Sequence, residues 1–291
     1  MVSNCNKSAK IQFFTMVFFI FQLCFFSQDG LSYAQQEKLK IAIIPNRSNL
    51  GNEQAYSTFF DELEKETGIV FEWLGSTTYD DVIEKIKSGI ADIGYVGAFA
   101  YVAAQDSFGV RLICRTLSKK KEEFYNSIIV TRKNSGIHDL EGLKGKNFSF
   151  TDPKSTSGYL FPMAQLKKTG IDLEDFSEVK FLKRHANILF AVYMGHVDAG
   201  ATSTTAVDKI DINMDEMQII WKSEPIYRGP WIARKDLAEE QFNRVQKAML
   251  KISDSQENKN IFDGLSTKGF VKGKDSDYDN VREVIKWMHD K

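Results

Sequence analysis

From residue 38 onward, short apolar runs alternate with stretches whose apolar side chains recur at three- and four-residue spacing. The run 39–44 predicts a strand, and Ala55, Phe59, Phe60 and Leu63 before Gly68 predict an amphipathic helix. A strand over 70–73 follows, then a helix carrying Tyr79, Val82, Ile83 and Ile86, then a strand over 91–96. Alternation of this kind predicts parallel strands covered by helices, an α/β fold with mixed sheets. Residues 241–252 and 278–288 read as helices packing on the first half of the chain.

A recurrence predicts two lobes. Lys87-Ser88-Gly89-Ile90-Ala91-Asp92-Ile93-Gly94 and Met194-Gly195-His196-Val197-Asp198-Ala199-Gly200 share the pattern Gly-x-x-Asp-x-Gly. In each, the first Gly suits a left-handed helix end, and the Asp opens a short strand and hydrogen-bonds backbone. Helices over 98–104 and 204–210 would follow. Residues 124–132 then leave the first lobe and 221–234 return to it, with Pro225 and Pro230 keeping the return segment extended. The expected organisation is lobe 1 over 35–127, lobe 2 over 128–227 and a return to lobe 1 over 228–291. Ligands of open α/β sheets bind beyond the carboxyl ends of the strands, so facing lobes place a site in the cleft between them.

The N-terminus changes the compartment. Lys7 and Lys10 precede an apolar run over 11–26, and Ser32-Tyr33-Ala34 supplies small residues at the cleavage positions, which predicts a cleaved signal peptide over 1–34. Export to the periplasm follows, with lipid anchoring at Cys24 as the alternative. Cleavage removes Cys5 and Cys24 and leaves Cys114 alone, so no intramolecular disulfide can form. Lys and Arg number 38 against 39 Asp and Glu, and this near balance without a long basic run argues against nucleic acid as a partner.

The segment with most chemistry is Asp152-Pro153-Lys154-Ser155-Thr156-Ser157-Gly158, between the strand-like residues 148–150 and a helix with Pro162 in its first turn. Three hydroxyls at a helix start serve either as plain N-caps or, with the unpaired amides there, as a cradle for a phosphate-sized anion. Ser157, His185 and Asp198 could be imagined as a nucleophile, base and orienter. No Gly-x-Ser-x-Gly elbow surrounds Ser157, and no metal-ligand or nucleotide-loop spacing is present, so neither an enzyme nor a cofactor is expected. His185 read alone is as readily a helix-start residue, and Tyr79 as readily core.

Taken together, these segments resemble the phosphate, phosphite and phosphonate substrate-binding proteins of bacterial ABC transporters, a branch of the type II periplasmic binding proteins. The carriers are the 91–97 motif with Tyr101, Ser155-Thr156-Ser157-Gly158 with Pro162, His185 heading a helix that ends in the 195–200 motif, and residues 223–237. The resemblance implies a two-lobed fold with two crossover strands as hinge, a monomer, and a membrane permease as partner. It implies ligand contacts from Ser155, Thr156, Ser157, His185 and Tyr79, with either Tyr95 or Val96 as the cleft residue before Gly97. Acidic residues that grip an aminophosphonate's ammonium in the family align with Thr205 and Gly229, so phosphate, phosphite or a simple phosphonate is the expected ligand. Another small molecule, or a membrane sensor kinase in place of the permease, is the alternative.

Overall fold

The computed structural model describes residues 36–208, 210–254, 259–262, 265 and 267–290. The expected signal peptide lies outside them. From Glu37 onward the chain forms one contact unit.

The first sheet contains β1 (Lys38–Ile43), β2 (Val70–Leu74), β3 (Ile93–Tyr95), β4 (Val110–Thr116), β12 (Pro230–Arg234) and β13 (Phe270–Val271), in the order β13-β4-β12-β3-β1-β2. Strands β1, β2 and β3 pair in parallel, while β12 runs antiparallel between β3 and β4. The second contains β6 (Ser127–Arg132), β7 (Asn147–Phe150), β8 (Glu178–Phe181), β9 (Ala199–Ser203) and β10 (Met217–Lys222), in the order β10-β6-β9-β7-β8. Between the sheets, β5 (Phe124–Tyr125) and β11 (Ile226–Tyr227) pair antiparallel as the outgoing and returning connections.

The helices follow from local chemistry. In α1 (Asn49–Thr67), Ser48 caps the start by accepting from the Gly51 amide, and Gly68, left-handed at φ 70°, closes the end. In α2 (Tyr79–Lys87), Thr78 accepts from the Asp81 amide, and Tyr79, Val82 and Ile86 bury one face. Its acidic first turn and basic last turn suit the helix dipole. The remaining helices are α3 (Ala98–Ser107), α4 (Phe161–Lys168), α5 (His185–Tyr193), the single turn α6 (Thr204–Val207), α7 (Glu239–Asp254) and α8 (Asp279–His289).

The repeated motif performs one task in both halves. Gly89 and Gly195 are left-handed at φ 72° and 75°. Asp92 accepts the Lys40 amide of β1 at 2.8 Å and Asp198 the Asn147 amide of β7 at 2.9 Å, so each carboxylate aligns its own strand with its neighbour. Asp92 also pairs with Arg234 at 2.9 Å.

An aromatic core of Phe59, Phe60, Trp231, Phe262 and Phe270 lies against the first sheet, and Phe148, Phe150, Leu166 and Phe176 lie against the second. The C-terminal helix departs from expectation. Val281 packs with the first sheet's helices, but Met288 also reaches the second core, and Lys168 of α4 lies over the Trp287 ring at 5.2 Å. One apolar stripe on α8 thus covers elements of both sheets, which periodicity alone could not assign.

Candidate functional site

Loops and helix starts from both sheets meet around one cavity of about 150 Å³. Residues 95–97 follow β3, Ser155, Thr156 and Ser157 follow β7, and Ser203 and Thr205 lie at the end of β9. Tyr79 and His185 are the first residues of α2 and α5, which place them at the rim where helix amides point. All six residues singled out from the sequence, Ser155, Thr156, Ser157, His185, Tyr79 and Tyr95, line this cavity.

The serine-rich segment is a single π-helical turn, Thr156–Leu160, leading directly into α4. Ser155 Oγ accepts the Gly158 amide at 3.0 Å, and the Gly158 carbonyl accepts the Thr151 amide at 3.0 Å. Gly158 carries no side chain for a visible reason: a Cβ there would sit 2.2 Å from Thr151 Oγ1. Beneath the turn, Ser127 Oγ donates to the Ser157 carbonyl at 2.7 Å, and Ser223 Oγ accepts the Ser127 amide at 3.0 Å. The two segments connecting the sheets therefore hold the cradle from below.

The turn also closes onto the other sheet's helices. Thr156 Oγ1 accepts the Phe99 amide at 2.9 Å, supplying the cap that Gly97 lacks at the start of α3. Asp152 accepts the Lys154 amide at 2.8 Å and interacts with the Tyr79 amide at the start of α2. Burial raises the Asp152 pKa, opposed by these two amides. A raised folded value means the folded chain holds the proton more tightly than the unfolded chain. The resulting stability is complete below the ordinary value of 3.8 and is lost as pH rises through the raised one. Urea unfolding of Asp152→Asn and wild type across that window is expected to show the difference moving in the variant's favour as pH rises. Parallel curves would reject the assignment.

Two phenols, Tyr79 and Tyr125, face the cradle, and a third, Tyr95, lies beside it. The Tyr79 hydroxyl interacts with Ser155, that of Tyr125 with Ser157 and Thr156, and that of Tyr95 with Thr116. Burial pushes all three hydroxyls up, Tyr125 to about 12, so they stay protonated at neutral pH. His185 Nδ1 lies 3.3 Å from Thr151 Oγ1 and 3.2 Å from Thr202 Oγ1, two hydroxyls that fix the ring. Asp198 is engaged with the Asn147 amide, and the hydroxyls of Thr151 and Thr202 stand at His185 Nδ1 where a triad would put a carboxylate.

Of the two cleft positions at the end of β3, Val96 is fully buried and Tyr95 turns its ring onto Trp231 at 5.4 Å, yet both contribute to the cavity wall. Sequence reasoning passed over Tyr125 and Arg228. Both sit in the connections between the sheets, where an aromatic and a cation flanked by Pro225 and Gly229-Pro230 were the available signal. Arg228 is 9% exposed and brings a full positive charge to a wall that otherwise offers neutral groups and an imidazole. No Asp or Glu lines the cavity among the described residues. An arrangement of hydroxyls, phenols, an imidazole and a guanidinium is complementary to an oxyanion.

Residues 41–278 match the model of a family described as the periplasmic substrate-binding protein of an ABC transporter for phosphonate. The chain belongs to this family. Among curated relatives, it is 28% identical to the phosphate-import protein PhnD of Mycolicibacterium smegmatis, the alignment covering 85% of each chain. Identity to the phosphonates-binding periplasmic protein of Escherichia coli is 25%, over 86% of this chain and 76% of that one. The fold is also similar to the crystal structure of PhnD1 from Prochlorococcus marinus in complex with methylphosphonate, with a TM-score of 0.78, 21% identity, and 88% and 99% of the two chains covered. The type II binding-protein architecture expected from the sequence is thus the observed one. No helix among the described residues is long and apolar enough to cross a membrane.

Proposed function

We propose that this protein captures a phosphorus oxyanion in the cavity between its two sheets and delivers it, outside the cytoplasm, to the permease of an ABC importer. The observation that carries this reading is the convergence of Ser155, Thr156, Ser157, Tyr79, Tyr125 and His185 on one small cavity whose wall, among the described residues, holds no carboxylate. At about 150 Å³ the cavity is well below the roughly 300–1,000 Å³ of drug-sized sites, which suits a compact anion. Stripping the anion of water requires many oriented donors, and bonds to an ionised acceptor are the stronger ones.

In this reading the lobes are residues 35–127 with 228–291, and residues 128–227. The contacts from Thr156 to α3 and from Asp152 to α2 are those that favour the closed form. The ligand is bound and released unchanged. Supporting this, Asp198 is engaged with the Asn147 amide, and the hydroxyls of Thr151 and Thr202 lie at His185 Nδ1.

Calorimetry on protein refolded free of carried-over ligand tests the reading with phosphate, phosphite, methylphosphonate and aminoethylphosphonate, and with sulfate as control. Binding of at least one phosphorus compound well above sulfate is expected, weakened about tenfold or more in Ser157→Ala through loss of a hydroxyl contact to a charged group. Silence toward all four, or no response to the substitution, would overturn it.

A further inference from the structure

A second compartment of about 60 Å³ adjoins the first, and Asn46, Tyr95, Thr205 and Arg228 line both. Three residues that line it each carry a buried polar atom with no hydrogen-bond partner: Arg228 Nε, Trp231 Nε1 and Thr205 Oγ1. Arg228 is 9% exposed and Trp231 1%. Native proteins rarely leave such groups unsatisfied, because burying an unmatched donor is costly.

The chemistry of the three atoms narrows what they await. Arginine and tryptophan nitrogens donate and cannot accept, so a methyl, hydrogen or ammonium substituent would leave both unmatched. Arg47 adds a second guanidinium to the wall, and no Asp or Glu lines the compartment among the described residues. Arg228 forms no ion pair among the described residues, and its guanidinium lies 5.9 Å from the Tyr125 ring centre, beside the cradle. At Gly229, where the family's ammonium-gripping acid would align, a Cβ would stand 2.4 Å from the Val96 carbonyl oxygen, so no side chain fits.

We propose that this compartment receives a carboxylate attached through a short linker to the bound phosphorus group, with Arg228 and Trp231 as the residues that select it. The preferred ligand is then a carboxylated phosphonate, in preference to phosphate, an alkylphosphonate or an aminophosphonate. The proposal rests on the oxyanion reading of the adjoining cradle and goes further by assigning the ligand's other end.

The test compares phosphonoacetate and phosphonopropionate with the uncharged ethylphosphonate and propylphosphonate, and with aminoethylphosphonate, by calorimetry on ligand-free protein. For at least one linker length, the carboxylate compound is expected to bind about 30-fold tighter than its alkyl counterpart, the effect of a charge-assisted bond. In Arg228→Gln that ratio is expected to fall toward unity whatever happens to absolute affinity. In Trp231→Phe, which keeps an aromatic ring in the core, the ratio should fall about threefold through loss of one N–H donor. A ratio near unity in wild type would overturn the proposal, the compartment then holding only solvent while alkylphosphonate binding leaves the oxyanion reading intact. Equal weakening of all ligands in Arg228→Gln would also overturn it, by placing the guanidinium on the phosphoryl group. Tighter binding of the amine would overturn it as well. Failure of every phosphonate in this panel would overturn the proposal, while phosphate and phosphite measured on the same protein decide the oxyanion reading separately.

Discussion

Replacing Gly158 by alanine is expected to abolish most oxyanion binding and to lower unfolding stability by about 3 kcal/mol, the upper part of the usual cost of overpacking. The new methyl would lie 2.2 Å from Thr151 Oγ1 and 2.4 Å from Thr151 Cβ, and 2.9 Å from Ser155 Oγ. Thr151 has nowhere to go. It is fully buried, its Oγ1 lies 3.3 Å from both the Ala201 carbonyl oxygen and His185 Nδ1, and its amide is bonded to the Gly158 carbonyl. Relief must come from the π-helical turn, which would lose the bond from the Gly158 amide to Ser155 Oγ and shift Ser157 and the imidazole together. Misaligning two bonds to a charged ligand should weaken it at least about 100-fold. Urea unfolding and phosphonate calorimetry on the variant check the two effects, and near wild-type values in both would show that the backbone absorbs the methyl.

Arg115→Gln should cost about 3 kcal/mol of stability by removing a buried cation paired with the largely buried Asp277 and the more exposed Glu123. The Arg115 side chain, 6% exposed, reaches Glu123 at 2.7 Å, and its Nε lies 2.9 Å from Asp277 in ionic contact. Its guanidinium also lies over the Tyr227 ring at 4.2 Å. One residue of β4 thereby ties down the segment leaving the first sheet, the segment returning to it and the turn before α8. Glutamine leaves Asp277, whose side chain is 15% exposed, without a counterion. Thermal unfolding is the check; a loss below about 1 kcal/mol would mean that water screens these carboxylates as it does at exposed pairs.

What could be read from the chain was set by short-range physics. The spacing of Tyr79, Val82 and Ile86 marks α2 because side chains three and four apart share one helix face. Gly89 and Gly195 end their helices because only glycine adopts the left-handed turn without steric cost. Asp92 and Asp198 open strands in both halves, and the hydroxyls before Pro162 mark a helix start. The resemblance added His185 and Tyr79, which pattern alone left as a helix-start residue and a core residue.

Other features depended on which segments meet. The π turn at Thr156–Leu160 sets Gly158 against Thr151, a contact that the periodicity of α4 does not contain. Tyr95 and Val96 differ by one residue, and the sheet's twist and its pairing with β12 direct the Tyr95 ring to Trp231 while both residues reach the cavity. Arg228 reads as part of a proline-extended connection, since nothing local distinguishes a buried guanidinium from an exposed one. The alternation of strands and helices, the glycine-closed helix ends and the hydroxyl-rich turn are written in the chain, because backbone sterics and nearest-neighbour hydrogen bonding set them. That Arg228, Trp231 and Thr205 share a second compartment beside the cradle emerges only on folding, because burial and the loss of hydrogen-bond partners arise when distant segments exclude water together.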